Sequence, residues 1–174
     1  MTGGRKRLYL GKYIVLAVIA LSVGCAVLFW YLSQEKRDEY LIKDLIRTLA
    51  ENLSRTPEES TATALLKVKS IADAFTDPMS CAMGQYAAGE FDRERLIGSL
   101  TRYRAMVGKA VVSAGDITLE VTGKMSARVY FSGSFSGTLK SGMHDRIVKD
   151  IDAELVKLNG RWKIKQIKFT NVLH

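Results

Sequence analysis

The sequence predicts an α+β fold in which helices come first and pack on one face of a curved antiparallel sheet. Three observations predict it. Apolar residues recur at helical spacing from Ile42 to Leu53 and again from Ala64 to Phe75. From Val107 onward apolar and polar residues alternate, as they do along strands with one buried face. Asn159-Gly160 then provides a two-residue hairpin turn between two such alternating runs.

Length and composition allow one folded domain and exclude several classes of protein. The 174 residues are 47% apolar and 25% charged, with two prolines, which is neither a disordered nor a collagen-like composition. Two cysteines are too few for a disulfide-stapled scaffold or a multi-cysteine zinc site. Half of the formal net charge of +8 comes from four cations in the first twelve residues, so the charge does not indicate a nucleic-acid partner.

An uncharged apolar segment lies near the N-terminus. Residues 13–32 contain no charged side chain, and a helix of that length would be about 30 Å long, the thickness of the hydrocarbon core of a bilayer. We predict one retained transmembrane helix, with a cleaved signal, a lipoprotein leader and a buried soluble helix as alternatives. The basic tail at residues 1–12 favours a cytoplasmic N-terminus. The expected location is the inner (cytoplasmic) membrane, with the C-terminal domain in the periplasm.

Three helices are expected before the sheet. Residues 33–56 are expected to form an amphipathic stalk helix or linker, with the helix at residues 34–54. This helix either continues the membrane helix as a stalk or packs on the domain. Thr56-Pro57-Glu58-Glu59 has the pattern of a capping box, so the folded domain is expected to span residues 57–174 and its first helix to run from Pro57 to Phe75. Residues 76–90 have no sustained period and are expected to form a loop. A third helix is expected from Asp92 to Arg104.

Four or five strands follow. The alternation from Met125 to Leu139 is long, with Gly133 and Gly137 on its apolar face, which indicates a strongly curved strand. A further alternation leads from Ile147 to the Asn159-Gly160 turn.

The turn sets the register of the last hairpin. It places Leu155 opposite Ile164 and Glu154 opposite Lys165. One bulged residue near Gln166 then improves both the apolar and the charge pairing. The pairs that it creates are Ala153 with Ile167, Ile151 with Phe169, and Asp152 with Lys168.

This layout resembles the nuclear transport factor 2-like superfamily, the cystatin-like α+β cone. The resemblance covers about residues 57–172 and includes the long curved strand and the hairpin ending Asn159-Gly160-Arg161-Trp162-Lys163-Ile164. It implies a cone-shaped domain that commonly dimerises through the outer face of its sheet. A single membrane helix ahead of the cone is similar to the arrangement in bacterial envelope proteins of this superfamily.

The alternation of inner and outer positions predicts no catalytic residue. The inner-face residues assigned from it, such as Val129, Phe131, Ile147 and Ile151, include no acid or base, and a general acid or base must reach the substrate. Enzymes of the superfamily place such groups inside the cone. The two histidines and two cysteines are not clustered, so no catalytic, cofactor or metal site is expected and the protein is not expected to be an enzyme.

Two sets of candidate functional residues remain. The candidate pocket lining is Phe131, Phe135, Trp162, Tyr103 and Tyr86. The candidate interface is the nearly uncharged outer row Tyr130, Ser132, Ser134, Ser136 and Thr138. The predicted function is a membrane-anchored, non-catalytic interaction or assembly module, partnered as a homodimer or by another envelope protein. The alternatives are a domain that binds a small apolar ligand or lipid and, third, an enzyme of the ketosteroid isomerase type.

Overall fold

The computed structural model describes residues 36–84 and 87–170, together with Ser22. The chain divides into two compact units, Met1–Tyr40 and Leu41–His174. Within the described ranges, no helix is both long and apolar enough to cross a membrane. The predicted span at residues 13–32 lies outside those ranges except for Ser22, so the membrane anchor stays a prediction.

Three helices are described: α1 at residues 36–53, α2 at Thr61–Asp73 and α3 at Arg93–Met106. The apolar stripe of α1 is part of the hydrophobic core, with Ile42, Ile46 and Leu49 at most 7% exposed. Of the two arrangements that this stripe allows, the packed helix is the one observed.

Helix α2 begins later than the capping-box pattern predicts. Ser60 is its N-cap and accepts a hydrogen bond from the backbone N–H of Thr63 at 3.1 Å. The prediction of a helix from Pro57 was wrong because the carboxylate of Glu59 does not fold back onto the start of the helix. It is buried in ion pairs with Lys67 and Arg104 instead.

The strands are β1 Phe75–Ala82, β2 Ala88–Phe91, β3 Val107–Gly123, β4 Ser126–Leu139, β5 His144–Leu158 and β6 Arg161–Thr170. Within the described residues, these six strands form one sheet in the order β2-β1-β6-β5-β4-β3. The four strands that follow α3 pair antiparallel in sequence order, as predicted. The prediction of a loop at residues 76–90 was wrong. Strands β1 and β2 form an antiparallel pair within that segment, and β1 pairs in parallel with β6. Asp77 and Pro78 interrupt the strand pattern of β1, and its parallel partner lies far away in sequence, so no local signal marked it.

The register of the last hairpin is confirmed. Asn159 and Gly160 have φ angles of 50° and 76°, as a type I′ turn requires. The bulge leaves out Lys165, so Glu154 pairs with Gln166 and not, as predicted, with Lys165. The predicted pairs that form are Leu155–Ile164, Ala153–Ile167, Ile151–Phe169 and Asp152–Lys168.

A second bulge bends strand β3. Gly115 pairs with Ser132 and Thr118 with Tyr130, so two residues, Asp116 and Ile117, lie between pairs that are only two residues apart on β4. Asp116 has a φ of 50°. Before the bulge the even-numbered residues of β3 face the core, and after it the odd-numbered residues do. The bulge also increases the twist of the sheet beside the helices.

Candidate functional site: an apolar cavity

A cavity of about 490 Å³ lies between the helices and the inner face of the sheet. All three helices and all strands of the sheet contribute residues to its wall. The wall is mainly apolar, and its residues include Leu49, Leu53, Leu100, Phe131, Phe135 and Ile151. Volumes of about 300–1,000 Å³ are typical of pockets that hold small molecules.

Phe135 and Tyr103 form an aromatic side of the cavity. Their ring centroids are 6.4 Å apart in an edge-to-face arrangement. A Cβ atom on Gly137 would lie 2.6 Å from Cζ of Phe135, so the ring of Phe135 occupies the space above this glycine. The bare backbone of Gly137 therefore determines where one aromatic wall residue lies.

The hydroxyl of Tyr103 is already engaged. It donates a hydrogen bond to the carbonyl oxygen of Leu53 at 3.1 Å. Burial, the largest cause, raises the pKa of Tyr103 above its usual value. The phenol is therefore neutral near pH 7, and its proton links α3 to the end of α1.

Lys149 also lies in the wall of the cavity, although it was not among the predicted pocket residues. It follows Ile147 and precedes Ile151 on the inner face of β5, and it pairs with Gly133 of β4. The inference that the inner face holds no acid or base was therefore wrong. The signal was available, because position 149 has the same parity as Ile147 and Ile151.

Cys81 also lines the cavity, but its environment does not activate it. It is 5% exposed, and its Sγ is 3.9 Å from the carbonyl oxygen of Ala87. Desolvation raises the pKa of the Cys81 thiol, so the sulfur is protonated near neutral pH. Among the described residues, no group of three or more His, Cys, Asp or Glu side chains is placed to hold a metal ion.

The structure brings together three of the five residues predicted to line a pocket. Phe131, Phe135 and Tyr103 line the cavity, and Tyr86 lies outside the described residues. Trp162 lies elsewhere, in the wall of a second groove of about 500 Å³ with Leu41 and other residues. It pairs with Lys157 beside the hairpin turn, at the opposite end of β6 from the cavity, which explains the difference.

The outer row of β4 forms hydrogen bonds across the sheet. Ser132 donates to Asp150 at 2.8 Å, and the hydroxyls of Ser113 and Ser134 are 2.7 Å apart. The hydroxyl of Thr138 lies 2.9 Å from Nδ1 of His144.

An ion pair lies at the other end of this row. Arg128 donates two hydrogen bonds to the carboxylate of Asp152, at 2.9 and 2.6 Å, and lies over the ring of Tyr130. These hydrogen bonds, above all, hold the pKa of Asp152 below its usual value. Asp150 and Asp152 thus have their partners on the outer side of the sheet.

Known structures share this architecture, although no protein-family model and no curated protein matches the sequence. A provisionally assigned scytalone dehydratase from Novosphingobium aromaticivorans is 12% identical, with a TM-score of 0.62 over 82% of this chain and 87% of its own. The LinA-type3 hexachlorocyclohexane dehydrochlorinase from Novosphingobium barchaimii is 12% identical, with a TM-score of 0.62 over 80% and 92%. The domain has the nuclear transport factor 2-like fold. A provisionally assigned calcium/calmodulin-dependent protein kinase II association domain from Xanthomonas campestris is 14% identical, with a TM-score of 0.55 over 79% and 87%.

The comparisons correct the prediction that the protein is not an enzyme. Structures named as a dehydratase and as dehydrochlorinases share this nuclear transport factor 2-like fold with it. The prediction depended on an inner face without any acid or base, and Lys149 contradicts that premise as well. At 12–14% identity the likeness concerns the fold and specifies no reaction.

Proposed function

We propose that the domain binds a small, largely apolar molecule in the cavity between its helices and its sheet, either to hold it or to act on it. The observation that supports this proposal is the cavity of about 490 Å³ with its mainly aliphatic and aromatic wall. Protein interiors are normally packed as densely as organic crystals, with few voids larger than a water molecule. A bound apolar molecule would restore the contacts that this open space lacks.

The polar groups of the wall support the same proposal. The Tyr103 hydroxyl donates a hydrogen bond to the carbonyl oxygen of Leu53, and the Cys81 thiol is protonated. Neither of these two groups therefore requires a charged or strongly hydrated ligand group. The names of two structural neighbours specify small organic substrates, and one of these, hexachlorocyclohexane, is apolar.

A substitution that fills the cavity tests this proposal. Ala114 lines the cavity, so leucine at this position places a larger apolar side chain in the space that the ligand would occupy. We expect Ala114→Leu to weaken binding of the neutral fluorophore N-phenyl-1-naphthylamine by about tenfold, equivalent to about 1.4 kcal/mol. The measurement is a fluorescence titration of the full chain.

Ala105→Leu is the matched control, because Ala105 is exposed on α3 and does not line the cavity. It should bind the fluorophore as the wild type does. Binding of the fluorophore to the apolar N-terminal segment is the same in all three proteins, so it does not affect the comparison. Equal affinities for wild type and Ala114→Leu would contradict the proposal.

A second candidate function is self-association through the outer face of the sheet. Val111 and Val148 are 56% and 57% exposed on this face, beside the predicted interface row, and Tyr130 is 37% exposed. Exposed apolar side chains on a sheet favour association. One neighbour with this fold is named as an association domain.

Light scattering after gel filtration tests self-association. We expect Val148→Lys to convert a dimer of the full chain into a monomer, since the new charge would be desolvated at the interface. Leu66→Lys is the control, because Leu66 is 69% exposed on α2, away from the sheet face. Identical masses for the two variants would exclude this face as the interface.

A further inference from the structure

The one charged side chain among the described residues of the cavity wall is that of Lys149. It forms no hydrogen bond or ion pair with any residue in the described part of the chain. Asp150 and Asp152, its neighbours on β5, have their partners Ser132 and Arg128 on the outer face. The sheet itself therefore separates Lys149 from the nearest acids of its own strand.

The surroundings of Lys149 combine this cation with apolar surface. On β4 it faces Gly133, which contributes no side chain. A Cβ atom on Gly133 would lie 2.7 Å from Cδ1 of Ile151, so Ile151 occupies the adjoining space. Phe135 and Phe131 pair with Ile147 and Ile151, the residues on either side of Lys149 on the same face. Position 149 thus lies between the two positions of β5 that pair with aromatic residues of β4.

An ammonium group next to an apolar cavity is most favourable when a bound anion neutralises it. Hydrogen bonds to charged groups contribute roughly twice as much as those between neutral groups, so the pairing of this cation with an anion would add measurably to affinity.

We propose that the molecule bound in the cavity is an organic anion with an apolar body, such as an aliphatic or aromatic carboxylate. Its anionic head pairs with Nζ of Lys149, and its body lies against Phe131, Phe135 and Ile151. This inference rests on the proposed function, because it requires that the cavity binds small molecules. It adds the charge of the ligand and the residue that recognises that charge.

Displacement of N-phenyl-1-naphthylamine from the full chain by two ligands of equal chain length tests the inference. Dodecanoate carries the anionic head, and 1-dodecanol presents a neutral one, both below their aggregation concentrations. We expect the wild type to prefer dodecanoate by about tenfold or more. Lys149→Met keeps an unbranched apolar side chain and should lose this preference while binding 1-dodecanol as before. Lys149→Arg should retain the preference.

Lys109→Met is the matched control, since it removes the same charge from an exposed position on β3 that does not line the cavity. It should behave as the wild type. A dodecanoate preference that persists in Lys149→Met, or none in the wild type, would overturn the inference. If 1-dodecanol and dodecanoate both displace the fluorophore equally well, only the charge assignment fails. If neither displaces it, the cavity proposal fails.

Discussion

Replacing Glu59 by glutamine is expected to lower the free energy of unfolding by about 3–5 kcal/mol. The Glu59 side chain is 2% exposed, and its carboxylate accepts hydrogen bonds from Arg104 and, at 2.8 Å, from Lys67. The Arg104 side chain is 5% exposed and also donates to the carbonyl oxygen of Asn52. Glutamine keeps the shape of Glu59 but leaves Arg104 as a buried cation without a counter-ion, and an unpaired buried charge is costly. Chemical denaturation measures the loss.

Glu58→Gln is a close control, because Glu58 is exposed in the adjoining turn and takes part in no described ion pair. Its effect should stay within about 0.5 kcal/mol. The double variant Glu59→Gln, Arg104→Met should be less destabilised than the sum of the single variants, since it leaves no buried charge unpaired. A loss for Glu59→Gln no larger than that for Glu58→Gln would show that the pair does not stabilise the fold.

The same ion-pair network holds part of the cavity wall in place. Arg104 is next to Tyr103 on α3, and Asn52 is next to Leu53 on α1; both Tyr103 and Leu53 line the cavity. Arg55 donates a hydrogen bond to the carbonyl oxygen of Arg104 and thereby ties the segment after α1 to the end of α3. The buried charges therefore fix the spacing of two helices over a space that apolar packing alone does not fill.

The hairpin of β5 and β6 was predictable in detail because its information is local. An Asn-Gly turn fixes the register, and a single bulge is the only shift that pairs Ile151 with Phe169 and Asp152 with Lys168 together. Strand β1 offered no comparable signal. It contains Asp77 and Pro78, and it is positioned by a parallel partner near the other end of the chain. Long-range pairing of this kind leaves no period in the sequence.

The start of α2 shows how tertiary contacts change a local pattern. Thr56-Pro57-Glu58-Glu59 fits a capping box, and Ser60 is an equally suitable N-cap residue. The choice between them depends on Arg104, which lies far along the chain and binds Glu59. The sequence alone does not reveal that Arg104 is buried.

For the candidate site, alternation placed Phe131 and Phe135 on the inner face, and the structure places both in the cavity wall. Alternation does not distinguish inner positions that are packed against helices from those that border open space. Trp162 illustrates the difference, because it is buried beside the second groove. Lys149 illustrates another limit. Its residue type suggests an exposed position, and only its parity with Ile147 and Ile151 indicates that it lies on the inner face.

Truncating Trp162 to alanine is expected to lower the free energy of unfolding by about 3–5 kcal/mol. Its side chain is large, the residue is 6% exposed, and it belongs to the same core as Ile42, Ile46 and Ile164. The ammonium of Lys157 lies 5.5 Å from the ring centroid, so the substitution also removes a cation–π contact. The melting temperature should fall by about 10 °C or more.

Leu66→Ala is the control for this truncation, because Leu66 is 69% exposed on α2 and alanine is a favourable helix residue. Its melting temperature should stay close to that of the wild type. Trp162 does not line the cavity, so folded Trp162→Ala protein should still bind N-phenyl-1-naphthylamine with the wild-type affinity. A melt that matches the wild type would contradict the assignment of Trp162 to the core. A stable variant with weakened fluorophore binding would instead assign Trp162 to the ligand site, as the sequence predicted. That result would mean that the second groove and the cavity are continuous.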